Sequence, residues 1–433
     1  MREQGDNISR GLLYTIDWKL VACFLVLVLV GWLNIYASIH STDPESAIAW
    51  SARSGKQFVW ILSALALAGL ILFVINSRLW EVLSTPAYFG VLVLLVAVIF
   101  LGSEVKGSHS WFNLGPVSFQ PAEVSKITTS LFLSMMMSRS GFKISNFRDF
   151  LTAALIISIP MLIIVAESET GSALVYLGFI FVLYREGMTG WVLFFIGMVI
   201  LLFVLTLTAG PLVSVIVLTV IVGGSFFLLM RPLRRKSVEA RVVRLSTLAA
   251  AVAGLLLIFS TQFVFEHVLQ DHQRKRIEVL LGMAEDPTGI GYNVRQSMIA
   301  IGSGGYFGKG YLNGTQTTYG FVPEQSTDFI FCTVGEEWGF LGCLAVIVLY
   351  ALMIVWIVRD AEQSRESFTR IYGYCVASII FMHLFINIGM TIGLMPVIGI
   401  PLPFLSYGGS SLWSFTTMLF IFIALNGREK KYF

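Results

Sequence analysis

Charge is scarce in this chain: Asp, Glu, Lys and Arg make up 13% of 433 residues, against 56% hydrophobic residues and a mean hydropathy of +0.80. A chain so short of polar surface cannot enclose one soluble globule. Cysteine is scarce too. Cys23, Cys332, Cys343 and Cys375 each lie alone in an apolar run, which leaves no basis for a disulfide framework or a metal knuckle. No basic domain stands behind the net charge of +3, so nothing addresses nucleic acid. Internal repeats and low-complexity tracts are missing, as is any separate soluble domain. The first apolar run, Leu20 to Ile39, lacks an Ala-x-Ala cleavage site and reads as an anchor helix rather than a signal peptide.

What the chain has in quantity is apolar runs close to the ~20 residues a bilayer crossing needs. They fall near 20–39, 57–75, 82–101, 121–138, 151–166, 171–185, 191–208, 212–230, 246–265, 328–358, 368–390 and 404–425. The expected fold is therefore all-α: one polytopic integral membrane bundle over residues 1–433, with about 12 transmembrane helices. Lys and Arg orient such a bundle. With the N-terminus inside, 20 basic residues fall in inner segments, including Arg2, Arg10 and six between Arg231 and Arg244, while the short outer loops keep Arg53, Lys56 and Lys106. Both termini are expected in the cytoplasm. The Arg231 to Lys236 run serves as a topology signal or as an anionic-lipid patch.

The same sorting puts a polar island, residues 266–327, outside. It carries 11 formal charges and ten glycines and ends at the seam where Asp328 meets the next apolar run. Within it, Gly302 to Gly310 is dense enough in glycine for backbone amides to approach an anion, although it also suits a plain flexible loop and is no Walker motif. Arg276, Arg295, Gln296, Ser297 and Lys309 add donors suited to sugars and diphosphates.

Ionisable groups near membrane depth are costly, so each needs a partner or a role. Glu123 and Lys126, at i, i+3 spacing, share a helical face either as a structural ion pair or with the lysine reaching an anionic substrate. Glu336 and Glu337 cannot both face lipid: one points into a polar cavity or holds a proton, or the first helical turns stand above the bilayer. Glu167 and Glu169 form an acidic outer turn. His383 and Asn387, four residues apart, read as interhelical hydrogen-bonding residues. The two prolines and small polar residues of Gly399 to Ser411, Ser406 among them, break the backbone at a span entrance, where it should line a cavity.

Together these residues resemble the SEDS family. The matching motifs are Gln296-Ser297, Ala300 to Gly305, Gly308-Lys309-Gly310, Gly314-Thr315-Gln316, Pro323-Glu324-Gln325 and Thr327 to Phe331. Pro396 to Pro403 looks like the rod-shape branch rather than the division branch. The resemblance implies a peptidoglycan glycosyltransferase that polymerises lipid II and releases undecaprenyl diphosphate at the outer face of the bacterial cytoplasmic membrane. The family's catalytic aspartate maps onto Asp328, which would act as general base in an inverting transfer. Its Gln-Pro-Ser-Glu-x-x-Lys motif maps onto Gln120, Pro121, Ala122, Glu123 and Lys126. Glu324, Gln325 and Ser406 are further candidate substrate-binding residues, and Lys126, Arg276, Arg295 and Lys309 are candidates to stabilise the charge of the leaving diphosphate.

The resemblance also implies a class B penicillin-binding protein, a transpeptidase, as partner in the membrane. It specifies no cofactor, and a divalent cation at Asp328 is compatible with it. A flippase of lipid-linked precursors and a division-type polymerase are the rival readings.

The chain departs from the family pattern in several places. Ser326 stands where His is usual. Gly107 to Trp111 lacks two arginines, Glu169 replaces an aspartate, and 191–230 reads as an extra helix pair beyond a ten-span norm.

Overall fold

The structure, a computed structural model, describes residues 16–40, 47–105, 108–114, 117–231, 238–269, 271–281, 283 and 289–431. Arg2, Arg10, Lys106, Gly107 and residues 232–237 of the basic cluster lie outside them. Among the described residues, ten helices are long and apolar enough to cross a membrane. Two more of the expected spans are shorter: Pro121–Met137, and Thr170–Arg185, which a single 3-10 turn divides.

The chain forms two compact units. The larger runs to Met188 and resumes at Tyr292. It holds α1 (Trp18–Ile39), α2 (Arg53–Phe73), α3 (Arg78–Leu101), α4 (Pro121–Met137), α5 (Phe147–Ala166), α6 (Thr170–Val175) and α7 (Phe179–Arg185). A three-stranded antiparallel sheet, β1 (Ser103–Val105), β2 (Ser108–Leu114) and β3 (Val117–Phe119), connects α3 to α4. Pairing is in register at Phe112–Phe119 and Leu114–Val117.

The smaller unit, Thr189–Gly291, contains α8 (Gly190–Ala209), α9 (Pro211–Met230), α10 (Val238–Phe263) and the polar α11 (Asp271–Leu280). Helices α8, α9 and α10 pack on one another, around Leu202, Leu218 and Ile258. Only 11%, 11% and 6% of their most apolar stretches is buried, the pattern of helices that face lipid.

The chain re-enters the larger unit with α12 (Ile290–Ser303), a four-residue turn α13 (Thr315–Thr318), α14 (Ile330–Gln363), α15 (Ser367–Thr391) and α16 (Gly409–Lys431). The core sits on α15 and α16, whose most apolar stretches are 72% and 67% buried, against 22% for α2. Helix α15 packs against α14 and α4, and α16 against α2.

The length of α14 has a local cause. Gly339 leaves the helical region (φ 66°, ψ −160°), so 34 residues are two helices in series. Such a break exposes backbone groups that must find partners. The glycine-dense loop supplies them: Lys309 N donates to Glu336 O and Gly310 N to Glu337 O, while Phe340 N donates to Gly305 O and Leu341 N to Tyr306 O. The approach is backbone to backbone. A Cβ on Gly308 would stand 2.1 Å from Glu337 O, and one on Gly339 2.3 Å from Gly308 N.

Candidate active site

Asp328 lies in the short turn between Pro323 and the start of α14, two residues before the helix begins. Phe329 takes the N-cap position, and no side chain caps the helix there. The backbone around Asp328 is held from several sides. Ser406 Oγ donates to Thr327 O at 2.6 Å, Tyr407 N to Ser326 O at 2.9 Å, and Asn387 Nδ2 to Asp328 O at 2.8 Å. The carboxylate packs against Gly399, where φ is +72° and a Cβ would come within 3.1 Å of Asp328 Oδ2.

The broken segment 396–408 is itself pinned by side chains. Ile400 O accepts from Asn387 Nδ2 at 2.8 Å, Pro401 O from His383 Nδ1 at 3.1 Å, and Pro403 O from Tyr350 Oη. Leu402 N donates to Ser406 Oγ at 2.8 Å. Non-helical backbone at membrane depth persists only with such partners. His383 and Asn387, read from the sequence as interhelical residues, present one face of α15 to this segment.

Lys126 is fully buried. Its Nζ lies 2.8 Å from Glu123 Oε1, 2.9 Å from His383 Nε2 and 5.0 Å from the centre of the Phe415 ring. Because Pro401 O can only accept, His383 Nδ1 carries the proton and Nε2 accepts from the ammonium. The structure thus favours the ion pair over the diphosphate partner: Lys126 ties α4 to α15, which holds Asp328.

Lys309 is engaged elsewhere. Its Nζ is 2.6 Å from Glu336 Oε1 and 2.7 Å from Thr315 Oγ1. The fully buried Glu336 also accepts from the amides of Thr315, Gln316 and Thr317, each at 2.8 Å. These contacts and the stitch over Gly339 use the glycine loop for structure, so the phosphate-cradle reading of Gly302 to Gly310 gives way to the plain loop with a structural purpose. Ser297 is buried and donates to Thr391 O at 2.9 Å. Arg295 is exposed and Gln296 half-buried on α12. Arg276 belongs to α11 in the smaller unit.

Two cavities are lined by neighbouring residues of the turn before α14, one by Thr327 and the other by Ser326. One, about 580 Å³, is lined by Trp60, Trp111, Phe119, Gln120, Thr327 and Trp413, among others. The other, about 480 Å³, is lined by Ser38, Arg53, Lys56, Glu324, Gln325 and Ser326, among others. Arg53 Nη1 donates to Ser326 Oγ at 2.8 Å. Glu324 adopts φ +55°, and its carboxylate accepts from Thr327 Oγ1 at 2.9 Å. The sequence reading gave no site role to Arg53, Lys56, Trp60 or Trp413, which lie outside the motifs and far from Asp328 in the chain. No cluster of three or more His, Cys, Asp or Glu suited to a metal occurs among the described residues.

A multi-pass helical membrane protein with an aromatic and a basic cavity on either neighbour of the turn that leads to Asp328 is thereby defined. The chain belongs to the FtsW/RodA/SpoVE family, described as cell cycle protein and matched over residues 17–236 and 237–431, which is the SEDS family of the resemblance. It is 31% identical to the peptidoglycan glycosyltransferase RodA of Treponema pallidum (strain Nichols), over 95% of this chain and 98% of that protein. It is 33% identical to the peptidoglycan glycosyltransferase MrdB of Escherichia coli (strain K12), over 79% of each. Its fold is shared by a chain of a solved peptidoglycan synthase complex described as coordinating polymerization and crosslinking, with a TM-score of 0.68 at 24% identity, over 96% of this chain and 98% of that one.

Proposed function

We propose that this protein is a peptidoglycan glycosyltransferase of the RodA type, which polymerises lipid II during cell elongation with Asp328 as general base. The observation that carries the reading is the position of Asp328: held by its backbone, set against Gly399, and next in the chain to Ser326 and Thr327, which line the two cavities. Chain growth joins the C4 hydroxyl of one sugar to the anomeric carbon of another as polyprenyl diphosphate leaves. A fixed carboxylate takes the acceptor proton as the new bond forms, and attack opposite the leaving group inverts the anomeric centre. The aromatic cavity suits a polyprenyl chain or sugar ring, and Gln120 supplies a polar handle within it. Likeness to RodA and MrdB favours the elongation type over the division type.

The same reading places the site at the outer face of the bacterial cytoplasmic membrane, with both termini inside, 266–327 as the large outer loop and 191–230 as an added helix pair. Excess Lys and Arg on the inner segments supports that orientation. A class B penicillin-binding protein is the proposed partner, supported by the likeness to a chain of a complex that couples polymerization with crosslinking. The proton transfer itself needs no cofactor. A divalent cation near Asp328 would assist the diphosphate's departure, and chelation of the purified enzyme tests for it.

The decisive experiment is polymerisation of purified lipid II, with and without the partner. Asp328→Asn should leave the protein folded and lower the rate by about 10²-fold or more, the usual contribution of a general base. Full activity in that variant would sink the proposal, and transbilayer movement of lipid II without polymer would favour a flippase.

A further inference from the structure

We propose that the turn between α4 and α5 binds an anionic phospholipid, with Arg139, Lys143 and Arg148 on its phosphate and one exposed face of α5 along its acyl chains. These residues take no part in the site at Asp328, so their binding of lipid is independent of the glycosyl transfer. The backbone of the turn is fixed. Phe142 N donates to Arg139 O at 3.1 Å and Asn146 N to Lys143 O at 2.9 Å. Lys143 N donates to Asp149 Oδ2 at 3.1 Å, which folds the turn back on the start of α5, where Arg148 stands.

All three cations are exposed, and among the described residues none of their side chains has an ion pair or a hydrogen bond. Other arginines are matched: Arg185 pairs with Glu362, Arg370 with Glu186, and Arg428 with Glu81 and Glu366. The acids beside the turn are already engaged. Asp149 accepts from Lys143 N and Asn146 Nδ2, while Glu186, which shares a cavity lining with Lys143, accepts from Arg370 Nε and Nη2 at 3.1 Å each. Three unmatched cations make a surface that attracts anions.

Charge alone would take any anion, and the neighbouring apolar face selects one that carries chains. Helix α5 begins at Phe147, which is 76% exposed, and Leu151, Leu155, Ile159 and Leu162 continue that exposed face at three- and four-residue spacing. A phospholipid joins a charged headgroup to apolar chains at the membrane surface. Here the cations join an apolar stripe in the same order, at the end of a helix long and apolar enough to span. On the orientation proposed above, the turn faces the cytoplasm, whose leaflet surface is negative and attracts Lys and Arg close to a span.

The test is native mass spectrometry of the purified full-length protein with two added lipids, phosphatidylglycerol, which is anionic, and phosphatidylcholine, which has no net charge. The parent should retain phosphatidylglycerol in preference. Arg139→Ala, Lys143→Ala and Arg148→Ala combined should weaken its binding by on the order of 10²-fold, about fivefold for each cation removed, and leave phosphatidylcholine unchanged. The parent's preference should also fade as ammonium acetate rises towards ~1 M, where screening is complete within about 3 Å, a check that needs no variant to fold. Equal retention of the two lipids by the parent would overturn the proposal, as would a preference that survives salt or a triple variant that binds like the parent. Displacement of phosphatidylglycerol by an equal concentration of glycerol phosphate would overturn it too, since the cluster would then bind a free phosphate with no share for the α5 face.

Discussion

Gly399 shows how narrowly the candidate base is placed. Its φ of +72° disfavours any side chain, and a methyl there would meet Asp328 Oδ2 at 3.1 Å, tighter than most carbon contacts. Gly399→Ala therefore pushes the carboxylate while leaving every hydrogen-bonding group in place. Displacements of ~1 Å near a reacting centre cost up to ~10²-fold in rate, so kcat should fall at least ~10-fold with little change in KM. A kinetic series on lipid II checks this, and an unchanged kcat would show that the contact does not set the position of Asp328. The sequence marked both residues through separate motifs, Thr327 to Phe331 and Pro396 to Pro403, but spacing along a chain carries no information about two motifs that touch across a fold. Lys126 teaches the converse. Its motif singled it out, but only burial among Glu123, His383 and Phe415 separates a lysine that ties helices together from one that meets substrate.

Helices were the most legible part of the chain, because a bilayer crossing writes itself as a long apolar run. The polar island was legible as polar and illegible in form: it contains α11, α12 and α13, and its glycines answer to a helix break whose only trace in sequence is Gly339. Density of glycine signals close backbone approach without naming the partner, and here the partner is α14 rather than a phosphate. Glu336 fastens the arrangement, with Lys309 and three successive backbone amides on its two oxygens. Glu336→Gln keeps the shape and removes the charge. Hydrogen bonds to a buried carboxylate are worth ~1.5–3 kcal/mol each before compensation, and the amide cannot accept on both sides. The loop 303–317 should loosen, lowering the melting temperature and opening the loop to added protease. Resistance to cleavage equal to the parent's would mean that the backbone stitch over Gly339 suffices alone.

A buried outer turn links the stability of the larger unit to pH. Glu167 is 2% exposed, and neither of its carboxylate oxygens has a hydrogen-bond partner. Burial first, and the nearby charge of Glu169 second, push its pKa from the usual carboxylate range up to about 8. Sequence alone shows two acids in one outer turn, and nothing in Glu167-Ser168-Glu169 says which carboxylate the bundle covers. The direction of the pH effect follows from proton counts. Between the unfolded carboxyl's pKa, ~4.3, and about 8, the unfolded chain has released this proton while the folded protein keeps it. Stability from this group is therefore complete at acidic pH and declines as pH rises through about 8, above which both states are ionised and the curve is flat. Melting temperatures of the detergent-solubilised protein should fall across that window, and Glu167→Gln, which cannot ionise, should remove this part of the slope. A variant that melts with the parent's pH dependence would mean that Glu167 is already ionised in the folded protein.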